Sequence, residues 1–203
     1  MRRLFPRWVP GLLLVLLLGM TGATMAAEPS LEITPFVGYR MGGQFKDGTG
    51  AKLDLNDHSS VALAFNWRAA EPGSQYELLY SRQATQTEGN TPIPFKVEYL
   101  HIGGTTPLGE LNGRVVPFAA GGIGAARFSP GAGLSQETRW SMNLGGGVRI
   151  PLAKQVRLRF EARGHLTWLG SNPELFCTGP CAVTGKRSTF FQYEALGGVS
   201  VSF

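Results

Sequence analysis

The segment Val156-Arg-Leu-Arg-Phe-Glu-Ala-Arg-Gly-His-Leu-Thr-Trp168 sorts its side chains by alternation. Val156, Leu158, Phe160, Ala162, Leu166 and Trp168 fall on one face, and Arg157, Arg159, Glu161, Arg163, His165 and Thr167 on the other. A period of 3.6 would mix these two sets, whereas a period of two separates them, so the segment reads as a β-strand. It is longer than the roughly five or six residues usual in soluble strands. It also exceeds the roughly 9–11 residues that a tilted strand needs to cross the hydrocarbon of a bilayer.

Seven further segments share the rhythm. They are Leu31 to Phe45, His58 to Arg68, Gln75 to Ala84, Phe95 to Gly104, Val115 to Phe128, Thr138 to Ile150 and Phe190 to Phe203. The segment from Phe95 sets Phe95, Val97 and Tyr99 opposite Lys96 and Glu98. Leu100 and Ile102 then fall on the polar face, which predicts a bulge or register change. Val115 to Phe128 is rich in Gly and Ala and is the hardest to phase. The connections alternate in length: 46–57 long, 69–74 short, 85–94 long, 105–114 intermediate, 129–137 fairly long, 151–154 short and 169–189 longest. An even strand number with long and short connections at opposite ends predicts an all-β, eight-stranded antiparallel up-and-down transmembrane β-barrel.

Alternation alone does not say which face meets lipid, because a secreted lipocalin-type calyx turns its apolar face inward. Strand length and aromatic placement favour the membrane. Trp67, Tyr76, Phe118 and Phe203 are expected in one aromatic girdle, and Phe45, Phe95, Phe128, Trp140, Trp168 and Phe190 near the other. The C-terminus adds Gly198, Val201 and a terminal Phe203. With these residues the chain resembles, over 30–203, the small outer-membrane β-barrels typified by the OmpA membrane domain, OmpX and OmpW. The resemblance implies that the barrel-assembly machinery reads Gly198, Val201 and Phe203 as an assembly signal; Leu196 departs from the polar residue often found there. It also implies a cell outer-membrane location with both termini periplasmic.

The N-terminus fits this route. Arg2, Arg3 and Arg7 precede the apolar run Gly11 to Met20 with no acid among them, the pattern of a secretory signal peptide. The run is about ten residues, short of the roughly 20 of a spanning helix, which disfavours a retained anchor. Residues 1–27 are therefore expected to be a signal peptide, cleaved near Ala26 or Ala27, with 28–203 as one barrel domain. Without the leader, 19 basic against 14 acidic residues becomes 16 against 14. The charges are interspersed rather than gathered in a stripe, so no nucleic-acid partner is expected. Cys177 and Cys181 flank Thr-Gly-Pro, a turn sequence, and an exported chain meets an oxidising compartment, so a loop disulfide is the expectation. A redox pair, which usually has two intervening residues, and a metal site, for which no His lies close by, are the competing readings.

If the apolar face meets lipid, the lumen receives Glu32, Arg40, Arg68, Glu77, Lys96, Glu98, Arg149, Arg157, Arg159, Glu161, Arg163, His165 and Glu194. An eight-stranded interior is just wide enough for side chains to fill, and buried charges must be paired. An ion-pair network plugging the lumen is expected, with a narrow path for small solutes or anions as its rival. Glycines at 121, 122, 124, 145, 146, 147, 197 and 198 would leave room for arginines or ease strand curvature.

Catalysis is not expected. Barrels of this kind that act on lipid A, transfer palmitate or cleave peptides need a nucleophile and base, or a carboxylate and histidine, within hydrogen-bond reach. His165 and Glu161 share a strand face but lie about 13 Å apart along it. His58 stands beside Ser59 and Ser60, yet adjacent strand residues point to opposite faces. The deacylases pair His and Ser two apart on one strand face; His58 and Ser60 have that spacing but lie at a loop edge, and no catalytic role is expected of them. Asp47, Asp54 and Asp57 lack the spacing of a 12-residue calcium loop, so neither metal nor cofactor is expected. Membrane lipids and lipopolysaccharide are the expected partners of a monomer, with Lys186 and Arg187, close to Phe190 and Phe191, as candidate phosphate contacts.

Overall fold

A computed structural model describes residues 31–46, 52–88, 92–109, 115–131, 135–170 and 189–203. The expected leader, the Cys177–Cys181 bridge and the Lys186 and Arg187 contact all lie outside the described residues. The strands are β1 (Leu31–Gly42), β2 (Gln44–Lys46), β3 (Lys52–Asp54), β4 (His58–Arg68), β5 (Gln75–Gln86), β6 (Pro94–Pro107), β7 (Val116–Pro130), β8 (Glu137–Pro151), β9 (Val156–Trp168) and β10 (Thr189–Ser202).

Eight of these, β1 and β4 to β10, form a closed barrel in which each strand pairs antiparallel with its neighbours in sequence. Closure is made by β1, which pairs with β10 from Glu32↔Ser202 to Gly42↔Gln192 and with β4 from Leu31↔Trp67 to Arg40↔His58. Closing the sheet removes the unpaired edges that would otherwise expose backbone donors and acceptors, the condition for a sheet to sit in hydrocarbon.

The first expected segment is shorter than its alternation suggests. Gly42 and Gly43 take φ of 78° and 103°, a left-handed conformation open to glycine, and break the ladder. The chain then continues as the hairpin β2–β3, in which Phe45 pairs with Leu53 in register.

On β9 the faces divide as the alternation predicts. Arg159, Glu161, Arg163, His165 and Thr167 are buried, while Phe160 and Trp168 are exposed. The outer surface also carries Val37, Tyr39, Val61, Ile123, Leu144 and Tyr193. An exposed apolar belt around a buried charged interior is the inverse of a soluble protein and of a lipocalin calyx.

Strand β6 corrects the sequence reading. Its register runs unbroken from Gln75↔Thr105 to Gln86↔Pro94 on one side and from Phe95↔Pro130 to Pro107↔Phe118 on the other, with no bulge. Phe95, Val97, Tyr99 and His101 point inward and are buried, whereas Leu100 and Ile102 are exposed on the lipid-type face. Toward the long-loop end the inward face of this strand is apolar and the outward face charged, so alternation alone assigns the two faces in reverse. Lys96 and Glu98 were expected in the lumen and instead face outward. Arg68, at the end of β4, is exposed rather than in the buried network.

Glycines on β8 allow the sheet to curve tightly. A Cβ at Gly147 would collide with the carbonyl oxygen of Phe160, and one at Gly145 with that of Ala162 and with Arg163. Gly147→Val should therefore cost more than the ~1–3 kcal/mol typical of core overpacking. The folded, heat-modifiable band on a detergent gel should be nearly lost after refolding. An unchanged band would show that β8 and β9 can separate freely.

Candidate functional site

The interior of the barrel holds the molecule's densest polar chemistry, arranged in layers. At the end of the short turns, Arg157 Nη1 donates to Glu32 Oε2 at 2.5 Å and to Ser202 Oγ at 2.8 Å. Arg149 Nη2 donates to Gln75 Oε1 (2.9 Å) and Thr105 Oγ1 (2.6 Å), and its guanidinium lies over the Phe118 ring at 4.3 Å. Phe118, expected in an aromatic girdle, is thus a buried platform inside the barrel.

The next layer is a square of two arginines and two glutamates. Glu77 bridges Arg159 Nη2 (2.5 Å) and Arg163 Nη2 (2.8 Å), and accepts from Asn66 Nδ2 at 3.1 Å. Glu161 pairs with the same two guanidiniums from β9. Asn66 Oδ1 and Asn143 Oδ1 each take one remaining guanidinium hydrogen, at 2.8 Å and 3.1 Å. Arg159 also lies over Phe36 and Phe118. All four charged side chains have nearly no solvent exposure. An isolated ion there would cost several kcal/mol, so a neutral, multiply bonded set is what makes the burial tolerable.

Above the square, Glu194 accepts from Arg40 Nη2 (2.9 Å), from Ser81 Oγ (2.8 Å) and bonds His165 Nε2 (3.0 Å). Tyr99 stacks on His165 with centroids 4.4 Å apart, has Arg40 over its face at 4.8 Å, and donates its hydroxyl to Gln192 Oε1 at 3.0 Å. His101 Nε2 bonds Ser141 Oγ at 3.1 Å.

Apolar side chains gather inside the long-loop end. Phe45, Leu55, Phe95, Val97, Phe128, Leu169 and Phe190 form one buried cluster, in which Phe45 stacks on Phe190 at 4.6 Å. Phe45, Phe95, Phe128 and Phe190 were expected in the outer girdle; they form this plug instead, while Trp140 and Trp168 remain outside. The hairpin β2–β3 brings Phe45 over the mouth, a placement that strand alternation does not encode.

The structure therefore brings together ten of the residues expected in the lumen: Glu32, Arg40, Glu77, Arg149, Arg157, Arg159, Glu161, Arg163, His165 and Glu194. Arg68, Lys96 and Glu98 lie elsewhere. Asn66, Ser81, Tyr99, His101, Ser141, Asn143 and Gln192 stand outside the expected set; alternation puts Asn66, Ser141, Asn143 and Gln192 on the polar faces of their strands, whereas Tyr99 falls on the face that reads as apolar.

Two pairs approach catalytic distances without forming a relay. Among the described residues, His101 holds a serine while its Nδ1 meets no partner, and His165 holds a carboxylate while its Nδ1 meets none. Among the described residues, the serine-bound ring has no acid in hydrogen-bond contact, and the acid-bound ring no hydroxyl. His58 Nδ1 meets Ser59 Oγ at 3.1 Å on an exposed strand end. His165 pairs across to Glu194, not with Glu161.

No family model matches the chain. No curated protein matches its sequence. Among solved structures, Neisserial surface protein A superposes with a TM-score of 0.59 at 15% identity, covering 85% of this chain and 97% of that one. The chain has the fold of the small outer-membrane β-barrels. OprG, an outer membrane protein of Pseudomonas aeruginosa, matches with a TM-score of 0.54 at 10% identity, over 86% of this chain and 97% of its own. In this outer-membrane barrel fold Gly198 and Val201 lie on the closing strand, and Phe203 follows directly after it. Gly198 faces Phe36, Val201 faces Ile33, and the Phe203 amide donates to the Leu31 carbonyl at 2.8 Å.

Proposed function

We propose that the chain is an integral outer-membrane barrel, closed by its own side chains, with a structural or surface-contact role and no catalysis. The short turns and both termini face the periplasm, and the barrel-assembly machinery reads Gly198, Val201 and Phe203 during insertion. The protein acts as a monomer among membrane lipids and lipopolysaccharide.

The observation that carries the closed lumen is the square of Glu77, Glu161, Arg159 and Arg163 beneath the phenylalanine plug. Supporting the non-catalytic reading, the two histidine pairs are incomplete and lie in the interior, away from lipid substrates. A second reading, a narrow anion path, has one observation in its favour. Arg149 sits near the short-turn mouth with no carboxylate among the described residues in hydrogen-bond contact.

Conductance across planar bilayers separates the two. Refolded protein should give no discrete, reproducible openings. Openings that Arg159→Ala abolishes would overturn the closed barrel and establish the anion path. Incubation with lipid A tests catalysis directly, and its mass should not change.

A further inference from the structure

The outward positions of the eight barrel strands are apolar, small or hydroxyl-bearing nearly everywhere. By the observed alternation, their charged residues are Arg82 on β5, Lys96 and Glu98 on β6, and Arg127 on β7. All four lie on consecutive strands toward the long-loop end. Register aligns three of them in a row, Arg82↔Glu98↔Arg127, with Thr138 opposite Arg127 on β8. The outward long-loop end across β9, β10, β1 and β4 carries Trp168, Phe191, Tyr193, Tyr39 and Met41 instead.

The cations of this patch are not consumed by the fold. Arg82 and Lys96 take no hydrogen bond or ion pair among the described residues. Among the described residues Arg127 donates to Gln136, and Glu98 accepts from the Tyr80 hydroxyl at 2.7 Å. Three cations against one carboxylate leave a net positive surface on a wall that is otherwise apolar. Charge on a lipid-facing strand costs up to about 2–4 kcal/mol at the bilayer midplane and falls toward zero at the interface. The row is therefore tolerable only at headgroup depth.

Beside the row lies a depression of about 490 Å³ lined by Ala125, Thr138, Arg139, Trp140, Trp168 and Gly170. Ala125 pairs with Trp140, so a small floor adjoins a large aromatic wall. Trp140 is 73% exposed and Trp168 44% exposed. Tryptophan offers an apolar face with a polar edge, suited to the membrane interface.

We propose that this rim of β5 to β9 binds a phosphorylated glycolipid of the outer leaflet. Arg82, Lys96 and Arg127 engage its phosphates, and the slot between Trp140 and Trp168 takes a sugar face or the head of an acyl chain. Guanidinium–phosphate bonds are charge-assisted and can be bidentate, which selects a clustered phosphate over diffuse anionic charge. The inference rests on the outer-membrane placement above. It differs from the expectation at Lys186 and Arg187, because it lies on the barrel wall.

The test uses refolded protein in detergent micelles, titrated with lipopolysaccharide and followed by tryptophan fluorescence. Wild type should bind, and the triple variant Arg82→Gln, Lys96→Gln, Arg127→Gln should lose at least tenfold in affinity while keeping its heat-modifiable band. Trp140→Ala should lose affinity separately. Dephosphorylated lipopolysaccharide and phosphatidylglycerol vesicles should bind at least tenfold more weakly than intact lipopolysaccharide. Equal binding by wild type and triple variant would overturn the site, as would phosphatidylglycerol binding as well as lipopolysaccharide. Loss of self-association in the triple variant with glycolipid binding intact would assign the patch to a second copy, and would also overturn it. If the triple variant does not fold, Arg127→Gln alone should still lower affinity and its salt dependence. Membrane fractionation reads the outer-membrane placement independently, so a soluble protein and an unbound glycolipid are distinct failures.

Discussion

Glu77→Ala should be among the most destabilising single substitutions in the barrel, at about 3–5 kcal/mol. The carboxylate bridges Arg159 and Arg163 and accepts from Asn66. Its removal leaves two buried guanidiniums sharing Glu161, so positive charge in the lumen is no longer matched. The measurement is the urea midpoint of unfolding from micelles or bilayers. Adding Arg163→Met should recover part of the loss, because that double variant restores charge balance around Glu161. A single variant within 1 kcal/mol of wild type would mean that water reaches this layer and solvates the arginines. The lumen would then be open enough to reconsider the anion path.

Phe128→Ala should cost a comparable ~3–5 kcal/mol, the usual range for truncating a buried aromatic. Phe128 has no solvent exposure and meets Phe45 and Phe190 edge-on, with centroids 5.8 Å and 5.1 Å away. The same variant separates two ideas about closure. The plug would be breached while the ion square below stayed intact, so bilayer recordings should remain silent. Discrete openings in Phe128→Ala alone would make the phenylalanine cluster, not the ion pairs, the seal.

The sequence carried the barrel well because a lipid-exposed strand must keep period two over its whole crossing. Val156 to Trp168 satisfies that requirement residue by residue. It carried β6 badly. There the plug makes the lumen apolar at one end, so Phe95, Val97 and Tyr99 imitate a lipid face, and Lys96 and Glu98 imitate a luminal one. A rule that sends charge inward fails where the outer surface reaches headgroups.

Partners within the lumen were beyond the sequence for another reason. Arg159 finds Glu77 and Arg40 finds Ser81 across the interior, at sequence separations of 82 and 41. Such pairings depend on strand register, which fixes the level of each side chain. Alternation gives the face alone. His165 illustrates this: along its own strand the nearest acid is out of reach, while the adjacent strand delivers Glu194 at 3.0 Å.

The one-sided placement of Arg82, Lys96, Glu98 and Arg127 also bears on posture in the bilayer. The apolar wall ends lower on β5 to β7 than on the opposite strands, whose aromatics continue toward the long loops. A hydrophobic band of unequal height is a form of mismatch, relieved by tilting or by local thinning of the lipid. The barrel should lean so that β5 to β7 rise toward the headgroups, with its axis inclined in a fixed direction relative to its own strands. Polarised infrared dichroism of oriented membranes reads that inclination. Neutralising the patch should bring the axis closer to the bilayer normal.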